Sequence, residues 1–288
     1  MRDQAEKLRM RIQNPEKKVA KTIAVVSGKG GVGKSNISIN TAMILQQKGY
    51  RVLLFDLDIG MGNINIILGG IATASLSDYL NTDMLIDDII FTTDEGVSYI
   101  SAGNGLNNIV EIDGTLLEKL LRGLEKLQMN YDFIIFDMAA GANSAAMEIL
   151  KSVDDIFVLS TPEPTAMTDA YSMMKYLCLE DAKGTFHLIC NRADSEQQGT
   201  NTLKRLEKTA LVFLQKQVNT LGVLLEDPHV RKAVIDQSPF TRKYPNAAIS
   251  LKLKKLISLY LNKDHEILPV KKDSFIGKLR RFFLEKGK

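Results

Sequence analysis

Short unbroken apolar runs alternate along this chain with longer stretches whose apolar positions recur every three or four residues. The first run, Thr22-Ile23-Ala24-Val25-Val26, is β-branched and continuous, the composition of a strand buried on both faces. It is followed by Lys34 to Lys48, with helical spacing at Ile37, Thr41, Ile44 and Leu45 and a stop at Gly49. The same reading predicts strands at Arg51 to Phe55, Tyr99 to Ser101, Phe133 to Phe136, Asp155 to Ser160, Phe186 to Cys190 and Gly222 to Leu225. Helices are predicted at Gly114 to Met129, Thr165 to Leu179, Thr200 to Val218, His229 to Gln237 and Asn246 to Leu261. Strands regularly separated by helices predict an α/β fold: a doubly wound, mostly parallel sheet flanked by helices, with its ligand at the carboxyl ends of the strands.

With 288 residues, 45% of them hydrophobic, the chain suits one sizeable α/β core with appendages. The net charge of +3 is unevenly placed. Residues 1 to 21 hold seven Lys/Arg against three Asp/Glu, and residues 271 to 288 hold seven against two, so the body between them carries −6. An acidic body with basic arms argues against a nucleic-acid-binding face on the core and places partner-seeking at the ends. Cys178 and Cys190 are the only cysteines, with no C-x-x-C, so neither a disulfide framework nor a cysteine-ligated metal centre is expected. The polar N-terminus and the absence of an apolar run of about 20 residues predict a cytoplasmic protein with no export signal or spanning helix. His187, His229 and His265 are far apart in sequence and suggest no shared site.

Between the first strand and helix lies Ser27-Gly28-Lys29-Gly30-Gly31-Val32-Gly33-Lys34-Ser35, where Gly28 to Ser35 satisfies G-x-x-x-x-G-K-[ST]. Glycines there let backbone N–H groups wrap the phosphates of a nucleoside triphosphate. Lys34 reaches the β and γ oxygens and the Ser35 hydroxyl ligates Mg²⁺. Lys29 is not needed by such a cradle. A cation there lies on the loop's outer side, either solvated or facing a phosphate held by a neighbouring subunit.

Carboxylates follow two of the strands. Asp56 and Asp58, two apart, face one side if the strand period continues, and Asp137 ends a second apolar run before Met138-Ala139-Ala140-Gly141. That placement is the form of a Walker B acid, so Ser35, Asp56 and Asp137 are the expected Mg²⁺ set, and Gly141 is placed to offer its N–H to a γ-phosphate. Asn191-Arg192-Ala193-Asp194 sits where a base contact belongs. Two readings stand: a guanine reader with Asp194 on the ring, or an adenine site with Asn191 on the purine and Asp194 facing solvent.

Taken together, Lys29 within Gly28 to Ser35, the Asp56-Leu57-Asp58-Ile59-Gly60 turn and the Asp137 to Gly141 segment resemble the deviant Walker A ATPases of the MinD/ParA type, over roughly residues 21 to 262. The resemblance implies an ATPase whose ATP-bound subunits form a homodimer. Lys29 would cross to the partner's phosphates, Lys34 would act in cis, Asp58 would orient the attacking water and Asp137 would be the Mg²⁺-linked acid. Asn191 with Arg192 matches the family's adenine contact, and Glu226-Asp227-Pro228 the loop that closes over the base. This chain has Ala139 where many relatives carry proline.

The ends narrow the resemblance. Asp3-Gln4-Ala5-Glu6-Lys7-Leu8-Arg9 begins like a capped helix, with Glu6 in the capping-box position, and is similar to the D-Q-A-x-x-L-R element of flagellar-number regulators of the FlhG type. These stimulate the signal-recognition-type GTPase FlhF, which implies Gln4 near the partner's GTP. Flagellar switch-complex proteins stand as further candidate partners. At the other end, Phe275, Ile276, Leu279, Phe282 and Phe283 fall within an arc of about 120°, with Lys278, Arg280 and Arg281 outside it. A helix of this kind lies on an anionic membrane surface or docks on the core, or does each in turn as the subunits pair. The expected organisation is a partner-binding segment at 1–20, an ATPase domain at 21–262, and a linker with an amphipathic helix at 263–288. Rival readings are a division-site ATPase of the MinD type, a ParA-type segregation ATPase, which the acidic body disfavours, and an iron–sulfur carrier, which the missing C-x-x-C disfavours.

Overall fold

The computed structural model describes residues 19–57, 64–68, 73–101, 103, 114–138, 144–264 and 275–286. Its strands are β1 (Lys21–Ser27), β2 (Val52–Leu57), β3 (Phe91–Thr92), β4 (Ser98–Ser101), β5 (Phe133–Met138), β6 (Asp155–Ser160), β7 (Thr185–Ala193) and β8 (Asn219–Leu225). The helices are α1 (Lys34–Gln47), α2 (Ile64–Leu68), α3 (Leu76–Asn81), α4 (Gly114–Asn130), α5 (Ser144–Ser152), α6 (Pro164–Leu179), α7 (Glu196–Leu214), α8 (Pro228–Ile235), α9 (Phe240–Lys243), α10 (Ala248–Asp264) and α11 (Phe275–Lys286).

The strands form one sheet in the order β3-β4-β2-β5-β1-β6-β7-β8, parallel throughout except where β3 meets β4. The predicted doubly wound α/β architecture is therefore the one found. The central strands β1, β2, β5 and β6 are buried on both faces, which is why they read as unbroken apolar runs rather than alternating ones. Apolar residues of α1 and α10 cover one face and those of α4, α5, α6, α7 and α11 the other.

Several boundaries differ from expectation for local reasons. α7 begins at Glu196 because the Ser195 hydroxyl caps it by accepting from the Gln198 N–H, and it ends at Leu214, followed by Gln215 at φ 51°. β7 runs on to Ala193, so Asn191 and Arg192 sit on the strand end rather than on a loop beyond it. The sequence pattern does not announce the edge strand β3 or the helices α2, α3, α5 and α9.

α11 belongs to the core. Phe275, Ile276 and Leu279 are buried, and Phe275 lies 5.5 Å, centroid to centroid, from Phe136 of β5. At the rim, Lys278 donates to the Ser152 carbonyl at 3.1 Å and Arg280 pairs with Glu125 at 3.3 Å. The docked arrangement is thus the one observed. No helix among the described residues is long and apolar enough to cross a membrane.

Candidate nucleotide-binding site

β1 delivers the chain to the centre of the sheet, and the loop leaves it at Ser27, whose hydroxyl donates to the Lys29 carbonyl at 2.7 Å. Gly28 packs so tightly on the backbone of α6 that a Cβ would lie 2.0 Å from the carbonyl carbon of Asp169. Gly31 (φ 80°) and Gly33 (φ 96°) turn through the left-handed region, and Gly33 hands the chain to α1. Among the described residues no side chain caps α1. Its first-turn N–H groups, with the positive end of the helix dipole, are therefore left for an anion. Lys34, almost wholly buried, and Ser35 stand on that turn.

Carboxylates close the other side. Asp56 and Asp137 are register partners at the ends of β2 and β5, and Val25 of β1 is the neighbour of Asp137 on its far side. Both acids are buried, Asp137 at 1% exposure and Asp56 at 4%. The Ser38 hydroxyl of α1 lies 2.8 Å from Asp137 Oδ1 and 3.1 Å from the Lys34 carbonyl, so the acid and the helix carrying Lys34 and Ser35 are tied together. Sequence spacing does not reveal Ser38, because it lies on the buried side of α1 and reaches a strand 99 residues away. Buried oxygen donors gathered beside a phosphate cradle suit a hard divalent cation.

Lys29 stands apart from the cradle. Its Nζ lies 2.5 Å from Glu163 Oε2 and 3.1 Å from Thr165 Oγ1, both at the start of α6. The hydrogen bond from Lys29, and then its charge, hold the Glu163 carboxyl below its ordinary range. Lys29 belongs to the loop, but its side chain is tied to α6 and not solvated alone, and nothing local in the sequence marks Glu163 as its partner.

Beside the loop is a cavity of about 260 Å³, walled by Asn36, Ile37, Asn191, Val230, Phe240 and Ile249 among others. Asn191, nearly buried, donates from its side-chain amide to the Val32 carbonyl at 2.8 Å. Arg192, at φ 57°, spans the mouth by pairing with Glu226 at 2.8 Å and donating to the Gly31 carbonyl at 3.2 Å. Asp227 accepts from the His229 N–H at 2.9 Å, from His229 Nδ1 at 2.7 Å and from the Ile249 N–H at 3.3 Å. It so fixes the start of α8, where Pro228 is the first residue, against the start of α10. Burial pushes the Asp227 carboxyl up, but these hydrogen bonds outweigh it and hold it below its usual value.

Of the two base-reading schemes, the guanine one is disfavoured by geometry. Asp194 is engaged at both its N–H and its carboxylate by Gln198, and it lines a separate polar hollow rather than this cavity. Asp58, Gly141, Asp3, Gln4, Ala5, Leu8 and Arg9 lie outside the described residues, as do the side chains of Phe282 and Phe283.

A glycine loop between a central strand and an uncapped helix, with two buried acids at neighbouring strand ends, defines a P-loop nucleoside triphosphatase. The ParA family model, described as "NUBPL iron-transfer P-loop NTPase", matches residues 18–259. The chain belongs to the ParA/MinD family of P-loop ATPases. It is 32% identical over 232 residues to the antiactivator FleN of Pseudomonas aeruginosa, covering 81% of this chain and 83% of that protein. It is 30% identical over 271 residues to the flagellum site-determining protein YlxH of Helicobacter pylori, covering 91% and 92%. Among solved structures, the septum site-determining protein MinD of Pyrococcus horikoshii, complexed with Mg-ADP, superposes with a TM-score of 0.68 at 25% identity, covering 86% of this chain and 98% of that one.

Proposed function

We propose that this protein is an ATP-dependent dimerising switch that controls flagellar number and placement, with slow ATP hydrolysis as its timer. The observation that supports the reading is the position of Lys29: its side chain is about one-third exposed and pairs with Glu163 of α6 instead of joining Lys34 at the cradle, which leaves it for a second subunit's nucleotide. The likeness to FleN and YlxH supports the flagellar assignment.

In this reading Lys34 and the first-turn N–H groups bind the phosphates, and Asn191, Arg192 and the Asp227-Pro228 corner hold adenine. Ser35, Asp56 and Asp137 would hold Mg²⁺, which when bound offsets charge on the phosphate oxygens. Asp58 orients the attacking water. Lys29 exchanges Glu163 for the partner's phosphates.

Membrane attachment follows from pairing. Phe275, Ile276 and Leu279 are occupied by the core here, so binding to an anionic membrane surface requires α11 to leave its groove, and two released helices hold by avidity where one does not. Residues 1–20 form the segment that stimulates FlhF, residues 21–262 the ATPase domain, and residues 263–288 the linker and membrane helix.

Lys29→Ala is expected to retain nucleotide binding and to lose ATP-dependent dimers in light scattering; an ATP-loaded variant that stays dimeric removes the trans role. A peptide of residues 1–20 is expected to raise GTP turnover by FlhF. A peptide without effect favours the division-site reading, which needs no such element.

A further inference from the structure

The far edge of the sheet carries a groove that the nucleotide site does not use. Among the described residues β8 pairs only with β7, so one side of Asn219–Leu225 faces away from the sheet. Two helices straddle that edge at close range. A Cβ on Gly199 of α7 would lie 2.2 Å from Val223 Cγ1, and Gly222, at φ 150°, lets Leu256 of α10 rest on the strand, 2.7 Å from where a Cβ would stand. Near the carboxyl end of the sheet Glu196 of α7 and Lys252 of α10 join the two helices with a 2.5 Å ion pair. Between the two helices a groove of about 510 Å³ runs along Thr220 to Val223 of β8.

Its walls are matched. On the α7 side stand Leu203 and Lys204, and on the α10 side Lys255, Leu256 and the half-exposed Leu259. Among the described residues neither Lys204 nor Lys255 has an acidic partner within ion-pair distance. Glu207 is the one acid on the rim outside the Glu196–Lys252 pair. From Ala248 to Asn262, α10 carries Lys252, Lys254 and Lys255 and no acid, on a body whose net charge is negative.

We propose that this groove docks an extended acidic peptide of another protein, which adds as a strand along β8. Successive side chains of a strand point to opposite faces, so they would alternate between the α7 and α10 walls. Leu203 and Leu256 are themselves buried, so each wall offers a lysine, Lys204 or Lys255, and the α10 wall adds the half-exposed Leu259; the groove thus asks the peptide for acidic residues on both faces and an apolar one toward α10. The register shift between β7 and β8 near Leu188 and Ile189 puts a bulge in this edge, a feature that discourages indiscriminate strand pairing and leaves selection to the side chains. A second copy of this chain is a poor occupant. Antiparallel pairing of two β8 edges would set the lysines of one α10 beside those of the other.

The test uses the full chain and the labelled octapeptide Glu-Glu-Val-Val-Glu-Glu-Val-Val, with a counterpart carrying Lys for Glu, in fluorescence anisotropy at low salt. The acidic peptide is expected to bind at least tenfold more tightly than the basic one and to protect the β8 amides from hydrogen exchange. The double variant Lys204→Glu/Lys255→Glu is expected to lose at least tenfold in affinity while keeping wild-type ATP turnover and thermal midpoint. Equal binding of the two peptides, unchanged affinity in that variant, protection that maps away from β8, or a nucleotide-independent dimer sealed through β8 would each overturn the proposal.

Discussion

Replacing Phe275 by Ala tests whether α11 is a releasable element or a fixed part of the core. The ring is 1% exposed and stacks in a tilted arrangement on Phe136, so its loss removes both buried area and an aromatic contact. Deleting a buried Phe side chain typically costs about 3–5 kcal/mol. At about 1.4 kcal/mol per factor of ten, that lowers the ratio of docked to undocked helix by roughly two to three and a half decades. Ile276 and Leu279 stay buried and Lys278 keeps its hydrogen bond to the Ser152 carbonyl, but the Arg280–Glu125 pair is open to water and contributes little. Hydrogen exchange read amide by amide is the assay. The α11 amides of the variant are expected to lose protection by about that factor while those of β5, directly beneath, keep theirs. If α11 and β5 lose protection together, the helix opens only with the whole domain and cannot serve as a nucleotide-controlled membrane anchor.

Two further outcomes follow from the site and the core. Asp58→Ala is expected to accumulate ATP-bound dimers in light scattering with ATP turnover near background, and normal turnover would remove Asp58 from the mechanism. Asp155 makes a buried cluster with His187 at 2.8 Å, Tyr260 at 2.7 Å and Lys21 at 2.7 Å. Burial pushes its carboxyl up, but His187 and Lys21 outweigh that and hold it at about 2, below the ordinary 3.8. A depressed carboxyl stabilises the fold above the unfolded value and loses that contribution as pH falls through the folded one. Wild type should therefore lose about 2 kcal/mol more than Asp155→Asn between pH 4 and pH 2 in urea unfolding. Parallel pH profiles for the two proteins would refute this assignment.

What the sequence reveals depends on how far its causes lie along the chain. The phosphate loop is legible because its glycines, lysine and serine are consecutive and flanked by unmistakable strand and helix patterns. α7 shows the opposite case. Ser195 is a good cap, yet Gly199 reads as a breaker in the second turn, and only Val223, which needs the glycine's missing Cβ, explains why the helix continues through it. β3 has two residues and owes its existence to β4, so no local period announces it. α5 is amphipathic, but at nine residues it is too short for its period to announce a helix before α11 is packed against it. The partners of Lys29, Asp137 and Asp155 are remote contacts, set by the strand order and not by spacing. Tail amphipathicity was readable, but the surface that receives it was not, since Phe136 serves the core whether or not α11 is there.

The ion pair between Lys29 and Glu163 gives the proposed switch a threshold. A symmetric dimer draws one lysine from each subunit, so two such pairs must dissolve for one dimer to form. Any factor by which Glu163 holds its lysine at home therefore enters the association constant squared. A modest local contact becomes a steep gate, sharpening the response to ATP without any residue at the dimer seam having to change.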